Sequence, residues 1–338
     1  MTRRTRMLTP LAIAVALATA ACGDSGSSGS GGGDASGSAA SGDACAPVSG
    51  DGLVVLEDDM HLQNADNIVP AVTTATATAN PAIIPALNAV SAALTTDQLI
   101  DLNGAVDLQR QNAADVASRW VEDNGVTDGL EQGSGTVVVG EAGFTESTVL
   151  ANIYADVLDA AGFDASVRTV GNRELYLPAL ISGNDLQVFP EYLATVADAL
   201  NAQVNGPDAA SVASNDVQAT QSALQPLADQ VGLTFGDPSD AVDQNAFAIT
   251  QVLADKLDVS TLSELADACS DGSLVLGGPT ECPTRPFCGK GLEDTYGLSF
   301  AEFVPLDTAG GPLTKSALEQ GQISIGLVLS SDAALAQG

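Results

Sequence analysis

From residue 45 to the C-terminus, short apolar runs that read as strands alternate with longer runs at helical spacing, and few architectures accept that order. Leu53–Leu56 is a short apolar strand. Ile84, Leu87, Val90 and Leu94 keep one helical face after Pro81, and Val116, Trp120 and Val121 mark a second helix stopped by Gly125. A strand opens at Thr136–Gly140. It leads into a helix from Phe144-Thr145-Glu146, whose Leu150, Ile153, Tyr154, Val157 and Leu158 form one face closed by Gly162. Further strands are expected at Ser166–Val170, Leu186–Phe189, Asn245–Ile249, Leu274–Leu276 and Ile323–Leu329. The pattern is that of an α/β protein.

Charge narrows the function. Eleven Lys+Arg stand against 43 Asp+Glu in 338 residues, a net charge of -32. Such a surface cannot neutralise a phosphate backbone, so nucleic acid is excluded as a partner, and adhesion to anionic lipid through charge goes with it. One histidine, His61, leaves little for His-based catalysis or a multi-His metal site. No nucleophile elbow and no phosphate-binding loop is present, so no enzyme and no cofactor are expected. Asp58-Asp59 reads as a solvated strand end sooner than as a metal site. No internal repeat supports a structural or adhesive role.

The first residues are an address. Arg3, Arg4 and Arg6 precede the apolar run Leu11–Ala18, which is too short to span a bilayer, and Thr19-Ala20-Ala21 leads directly to Cys22. This resembles a bacterial lipobox, which makes residues 1–21 a lipoprotein signal peptide and Cys22 the lipidated residue. Export by the general or the twin-arginine route is left open. Residues 22–44 are mostly Gly, Ser, Asp and Ala and form a tether. The protein is therefore expected outside the cytoplasmic membrane, anchored by lipid. Export also permits disulfides. Cys282 and Cys288 enclose a short loop holding two prolines and are paired on that ground, which leaves Cys45 for Cys269. A zinc site is the rival reading, but the spacing is not that of a zinc ribbon and no His accompanies it.

Several segments occur together: Phe144-Thr-Glu, Gly171-Asn-Arg-Glu-Leu-Tyr-Leu-Pro-Ala-Leu180, Phe189-Pro-Glu-Tyr-Leu-Ala-Thr195, Asn245-Ala-Phe247, Leu276-Gly-Gly-Pro279, Gly310-Gly-Pro-Leu-Thr314 and Val55-Leu-Glu-Asp-Asp59. Together they resemble the substrate-binding proteins of glycine betaine/osmoprotectant ABC transporters, over nearly all of residues 50–338. The order differs from that family's, where the Val-Leu-Glu-Asp-Asp segment and its helices come last. Here they come first, and residues 126–135 sit where the family's ends would meet. The resemblance thus implies a two-lobed type II periplasmic-binding-protein fold, circularly permuted. Lobe I is expected over 45–192 plus 328–338 and lobe II over 193–327, with crossovers near Glu191–Thr195 and Ser324–Leu329.

The resemblance further implies a monomer that captures a small zwitterionic or cationic ligand, glycine betaine or a related quaternary amine, for an ABC permease and its ATPase. The alternatives are another amine or amino-acid derivative (ergothioneine, carnitine, a polyamine) or a surface structural lipoprotein. A quaternary ammonium has no N–H groups and is held by ring faces. Tyr192 and Thr195 match the family's Tyr-Thr-Gly-Thr turn, Phe247 a ring position, Asn245 a polar position beside it, and Arg285 a carboxylate-binding Arg. Two further ring positions fall on Leu329 and Asp66, and the lysine expected before the Phe-Thr-Glu turn falls on Ala142. Tyr176 can supply a ring, and Asp66 and Glu191 attraction for a cation. Phe144 and Thr145 open a helix toward the ligand. Arg173 and Glu174 complete the candidate set, with a surface pair between the two as the plainer reading.

Overall fold

The computed structural model describes residues 44–306 and 311–334. The signal peptide, Cys22 and nearly all of the tether lie outside the described residues.

The chain runs from β1 (Leu53–Leu56) to β2 (Ile68–Thr73) and then through four helices, α1 (Thr74–Ala79), α2 (Ile83–Ala93), α3 (Thr96–Asp107) and α4 (Ala113–Asn124). There follow β3 (Thr136–Glu141), α5 (Thr145–Ala160), β4 (Asp164–Thr169), α6 (Arg173–Ser182), β5 (Val188–Tyr192), α7 (Leu193–Asn205), α8 (Val217–Val231) and β6 (Leu233–Phe235). The remainder is β7 (Asn245–Thr250), α9 (Gln251–Leu257), α10 (Leu262–Ala268), β8 (Leu274–Gly278), α11 (Gly289–Gly291), β9 (Phe300–Pro305), α12 (Pro312–Glu319) and β10 (Ile325–Leu329). Local signals set many of these boundaries. Thr95 and Gln98 form a capping box on α3, as Thr261 and Glu264 do on α10, while Asn112 caps α4. Gly125 ends α4 at φ 60°, a left-handed conformation that a side chain would strain.

Among the described residues the strands form two five-stranded sheets. The first has the order β1-β7-β10-β8-β9 and the second β4-β3-β5-β2-β6. In the second, β3 runs parallel to β4 and β5, while β2 lies antiparallel between β5 and β6. Helices cover both faces of each sheet, so central strands such as β2 are buried throughout and read as continuous apolar runs. On one face of the second sheet, α5 is packed among α2, α3 and α4 around Tyr154, Leu150 and Trp120. On the other, Leu180, Phe189, Leu200 and Leu224 join α6, α7 and α8. The first sheet buries Phe247, Ile249, Ile325 and Leu327 against α9, α10 and both disulfides. These bridges are Cys45–Cys269 and Cys282–Cys288, as paired from the sequence.

The division into lobes differs from the expected one. β1 belongs to the first sheet, paired antiparallel with β7 from Leu53↔Thr250 to Leu56↔Phe247. All of β2 to β6, residues 68–235, belongs to the second. The chain therefore changes sheet at 57–67 and 236–244, where Asn67 and Val242 form an isolated antiparallel bridge, and not near 191–195 or 324–329. The expected boundary at 192/193 falls between β5 and α7 of one layer. β2 enters the second sheet between β5 and β6 although it carries Pro70, so residues 68–235 stay in one layer.

Candidate functional site

Two chain crossings and the ends of several elements meet between the sheets. From 57–67 comes Asp66 and from 236–244 come Asp243 and Gln244. The N-terminal ends of α5, α6 and α7 bring Phe144, Arg173 and Thr195. A cavity of about 360 Å³ is lined by Phe144, Tyr176, Phe189, Tyr192, Arg173 and Asp66, among others. Tyr176 stacks on Phe189 with ring centroids 3.8 Å apart and planes 13° from parallel. The Arg173 guanidinium lies 5.7 Å from the Tyr176 ring centre and bonds Glu191 Oε2 at 3.0 Å. Arg173 therefore pairs with the fully buried Glu191, not with Glu174, which is exposed and does not line the cavity.

Acids dominate the centre. The Thr195 backbone N–H donates to Asp66 Oδ1 at 3.0 Å, and its hydroxyl donates to Oδ2. Burial nevertheless pushes the Asp66 carboxyl up to about 6 against these bonds, and the Glu191 charge pushes the same way. Tyr192 donates its hydroxyl to Glu146 Oε1 at 2.7 Å, and Asn103 donates to Oε2 at 2.8 Å. Glu146 and Asp243 meet as a hydrogen-bonded carboxyl pair, and Ser331 donates to Asp243 Oδ1 at 2.8 Å. Burial raises both acids, and the neighbouring Glu146 charge raises Asp243 further.

The structure brings Tyr192, Thr195, Phe144, Arg173, Tyr176 and Asp66 to this cleft. Thr145 faces an adjoining cavity of about 560 Å³, with its hydroxyl on Asp107 Oδ1 at 2.6 Å. Asn245 lines a further chamber and donates to the Phe287 carbonyl at 3.3 Å. Besides Glu174, two expected residues lie elsewhere. Phe247, two positions farther along β7 than Asn245, is 1% exposed in the core with Leu56 and Leu327, since only the strand's first residue reaches the cleft. Arg285 is exposed on the disulfide loop, 3.1 Å from Glu281 one turn earlier. Phe287, not Arg285, carries that loop into the cleft. Glu146, Asp243, Asn103 and Ser331 went unread. Glu146 adjoins the Phe144-Thr145 signal, whereas Asp243 is one acid among many in a loop and offers no local cue.

Asp58 serves structure. It accepts backbone N–H groups from Leu62 at 2.8 Å and Gln63 at 2.7 Å, together with the Tyr296 hydroxyl at 2.5 Å. Among the described residues no cluster of three His, Cys, Asp or Glu side chains is disposed to hold a metal ion.

Two covered sheets, joined by two crossings with a polar, ring-lined cleft between them, define a mixed α/β architecture consistent with a two-lobed periplasmic-binding-protein fold. Residues 47–123 and 135–337 match the OpuAC family model, the substrate-binding domain of ABC-type glycine betaine transport systems, and the chain belongs to that family. Among solved structures it is similar to one titled glycine betaine/carnitine/choline ABC transporter, at 19% identity and a TM-score of 0.44 over 60% of this chain and 70% of that one. It is also similar to AppA from Clostridium difficile, described as a peptide binding protein, at 11% identity and a TM-score of 0.28 over 60% of this chain and 48% of that one.

Proposed function

We propose that this chain is the extracytoplasmic capture component of an ABC importer, held to the membrane by lipid at Cys22, and that it delivers a small amine of the quaternary-ammonium class, glycine betaine or a relative, to a permease and its ATPase. The observation that carries this reading is the set of rings, Phe144, Tyr176 and Tyr192, facing one cavity together with the Asp66 carboxyl. Ring faces attract a cation that cannot donate hydrogen bonds, and a nearby carboxylate adds Coulombic attraction without requiring a donor. Phe144 is 46% exposed and positioned to be covered when a ligand seats.

A second reading, a cation without a carboxylate, is favoured by what lines the cavity. Ala142 stands where a lysine is expected, Arg285 is outside, and Arg173 already bonds Glu191. Titration calorimetry with glycine betaine, carnitine and choline separates the two readings. A bound ligand at a hundred times its dissociation constant adds about 2.7 kcal/mol to stability, so a thermal shift screens the panel first. Tyr176→Ala removes the ring that both stacks on Phe189 and faces the cavity. Affinity is expected to fall about 5- to 30-fold, the size of a partly desolvated cation–ring contact. Unchanged affinity in that variant, or no response to any amine at millimolar concentration, overturns the proposal.

The same reading takes the chain as a circular permutant. The family match breaks at residues 124–134, in a largely exposed loop. The strap before β1 runs beside α12, with the Gly50 N–H on the Glu319 carbonyl at 3.1 Å. A chain that starts near Gly135 and runs through Gly338 into 50–125 by a short Gly/Ser join is expected to fold and to bind with the same affinity. Loop closure costs only about 0.6 kcal/mol per doubling of length. Failure of the rejoined chain to fold cooperatively ends the reading.

A further inference from the structure

Beside the ring-lined cavity lies a second chamber of about 380 Å³ that shares Asp66, Thr195 and Asp243 with it. Its chemistry is different. Gln63, Asn64, Gln244 and Asn245 line it with Asp198, and Phe287 is its one ring. No Lys, Arg or His is among its lining residues, whereas Asp66, Asp198 and Asp243 all are. A carboxylate is therefore repelled, and a methylated ammonium finds too little ring surface to replace its water.

Acceptors remain. Gln63 is only 6% exposed, and its amide nitrogen donates to the Phe287 carbonyl at 3.2 Å. The Asn245 amide nitrogen donates to the same carbonyl at 3.3 Å. Both amide groups are thereby oriented with their nitrogens committed, and the oxygen of each accepts no bond among the described residues. Asp198 is itself fixed, since Val212 and Ala213 donate backbone N–H groups to Oδ1 at 2.8 and 3.2 Å and Ser211 donates to Oδ2. Two amide groups turned by the Phe287 carbonyl, one of them on the 6%-exposed Gln63, beside three carboxyls and no base, suit a cation that carries N–H groups.

We infer that this chamber is a second subsite for an ammonium or guanidinium group bearing N–H donors, so that the cleft's full ligand is a linear dication with one cationic end among the rings and the other at Gln63, Asn245 and Asp243. This rests on the proposal that the ring-lined cavity holds an amine and extends it to the ligand's far end. The shared wall of Asp66 and Asp243 lets one chain pass from chamber to chamber, and a dication answers the surplus of acids better than a monocation does.

The test is calorimetry on the full-length protein with 1,4-diaminobutane, spermidine and choline as probes, repeated with Asn245→Leu and, separately, Asn64→Leu. Asn64 makes no hydrogen bond among the described residues, so its variant keeps the fold, which a melting curve checks. Expected are tighter binding of a diamine or triamine than of choline, and a loss of about tenfold or more for the polyamine in each leucine variant, with choline unchanged in Asn64→Leu. If choline binds and neither polyamine does, or if both leucine variants fold and leave polyamine affinity unchanged, the second subsite is wrong and the capture function stands. If no probe binds and the betaine panel is also silent, the capture function falls with it.

Discussion

The ligand-free protein is expected to melt at a lower temperature at pH 7.5 than at pH 5, the reverse of the usual behaviour of an acidic protein that relies on paired carboxylates. The cause is the acid cluster in the cleft. Asp66 binds its proton with a folded-state value of about 6 against an ordinary value of 3.8, because burial opposes the charge more than Thr195 and Arg173 favour it. Between those two values the folded state holds a proton that the unfolded state has lost. The stability contribution of Asp66 is therefore complete below pH 4 and is lost as pH rises through 6. At 1.36 kcal/mol per unit the whole shift is on the order of 3 kcal/mol, of which about half, roughly 1.4 kcal/mol, is lost between pH 5 and 7.5, a shift of about 2–4 °C in a chain of this size.

Glu146 and Asp243 are raised as well, both by burial and Asp243 also by the Glu146 charge, and act in the same direction. Asp59, Glu264 and Asp271 are lowered by hydrogen bonds and lose their contribution only in more acid solution, outside this window. Melting curves from pH 4.5 to 8 on wild type and Asp66→Asn read the effect. The variant is expected to be more stable at pH 7.5 and to have a flatter profile, because it removes the buried charge and can retain hydrogen bonds to Thr195. A cationic ligand supplies the missing countercharge, so its stabilisation is expected to grow as pH rises. A melting temperature that climbs from pH 5 to 7.5 without ligand would falsify this account.

The sequence made the layers legible and left the partners hidden. Strands at 53–56, 136–141, 245–250 and 274–278 and the helix opening at Thr145 were visible, because each is a run whose period matches its element. β5 begins two residues later than its apolar run suggested and extends through Pro190 to Tyr192. β6 is only three residues long, and β9 has mostly exposed or half-buried residues, so neither left a strong apolar signature. What periodicity cannot supply is which sheet a strand joins, and β1 illustrates this. Its four residues read the same whether they pair with β7 or with a neighbour in sequence, and the lobe assignment failed there.

The site divided along the same line. Tyr192, Thr195 and Tyr176 sit in motifs whose local geometry already turns them toward a helix start or a strand end. Asp243 and Ser331 reach the cleft only because two distant loops pass each other. Phe247 and Arg285 carried the right chemistry in the wrong environment. Burial alone decides whether a ring is core or cage, and burial was not written in three residues of β7.

The two disulfides are expected to separate stability from binding. Cys45 and Cys269 stand 224 residues apart, Cys282 and Cys288 only 6 apart. In the chain-entropy account the long link restrains the unfolded chain by about 5 kcal/mol and the short one by about 2 kcal/mol. The long link also fixes the strap before β1. Ser324 donates to the Cys45 carbonyl at 2.8 Å, and Thr250 donates to that of Val48 at 3.2 Å, both beneath the same bridge. The double change Cys45→Ser/Cys269→Ser is thus expected to lower the urea unfolding free energy by about 3–5 kcal/mol while ligand affinity stays as it was, because neither cysteine lines the cleft.

Cys282→Ser/Cys288→Ser is expected to do the opposite. Its cost in stability is smaller, but Phe287 hangs on that loop, and its carbonyl receives both Gln63 and Asn245. Freeing the loop unmoors one wall of the cleft, so affinity should fall about tenfold, as expected when a site must be ordered at the moment of binding. Paired measurements of unfolding and binding on the two double variants decide the matter. Equal losses of stability in both, or a loss of affinity confined to the Cys45/Cys269 variant, would show that the short bridge does not organise the cleft.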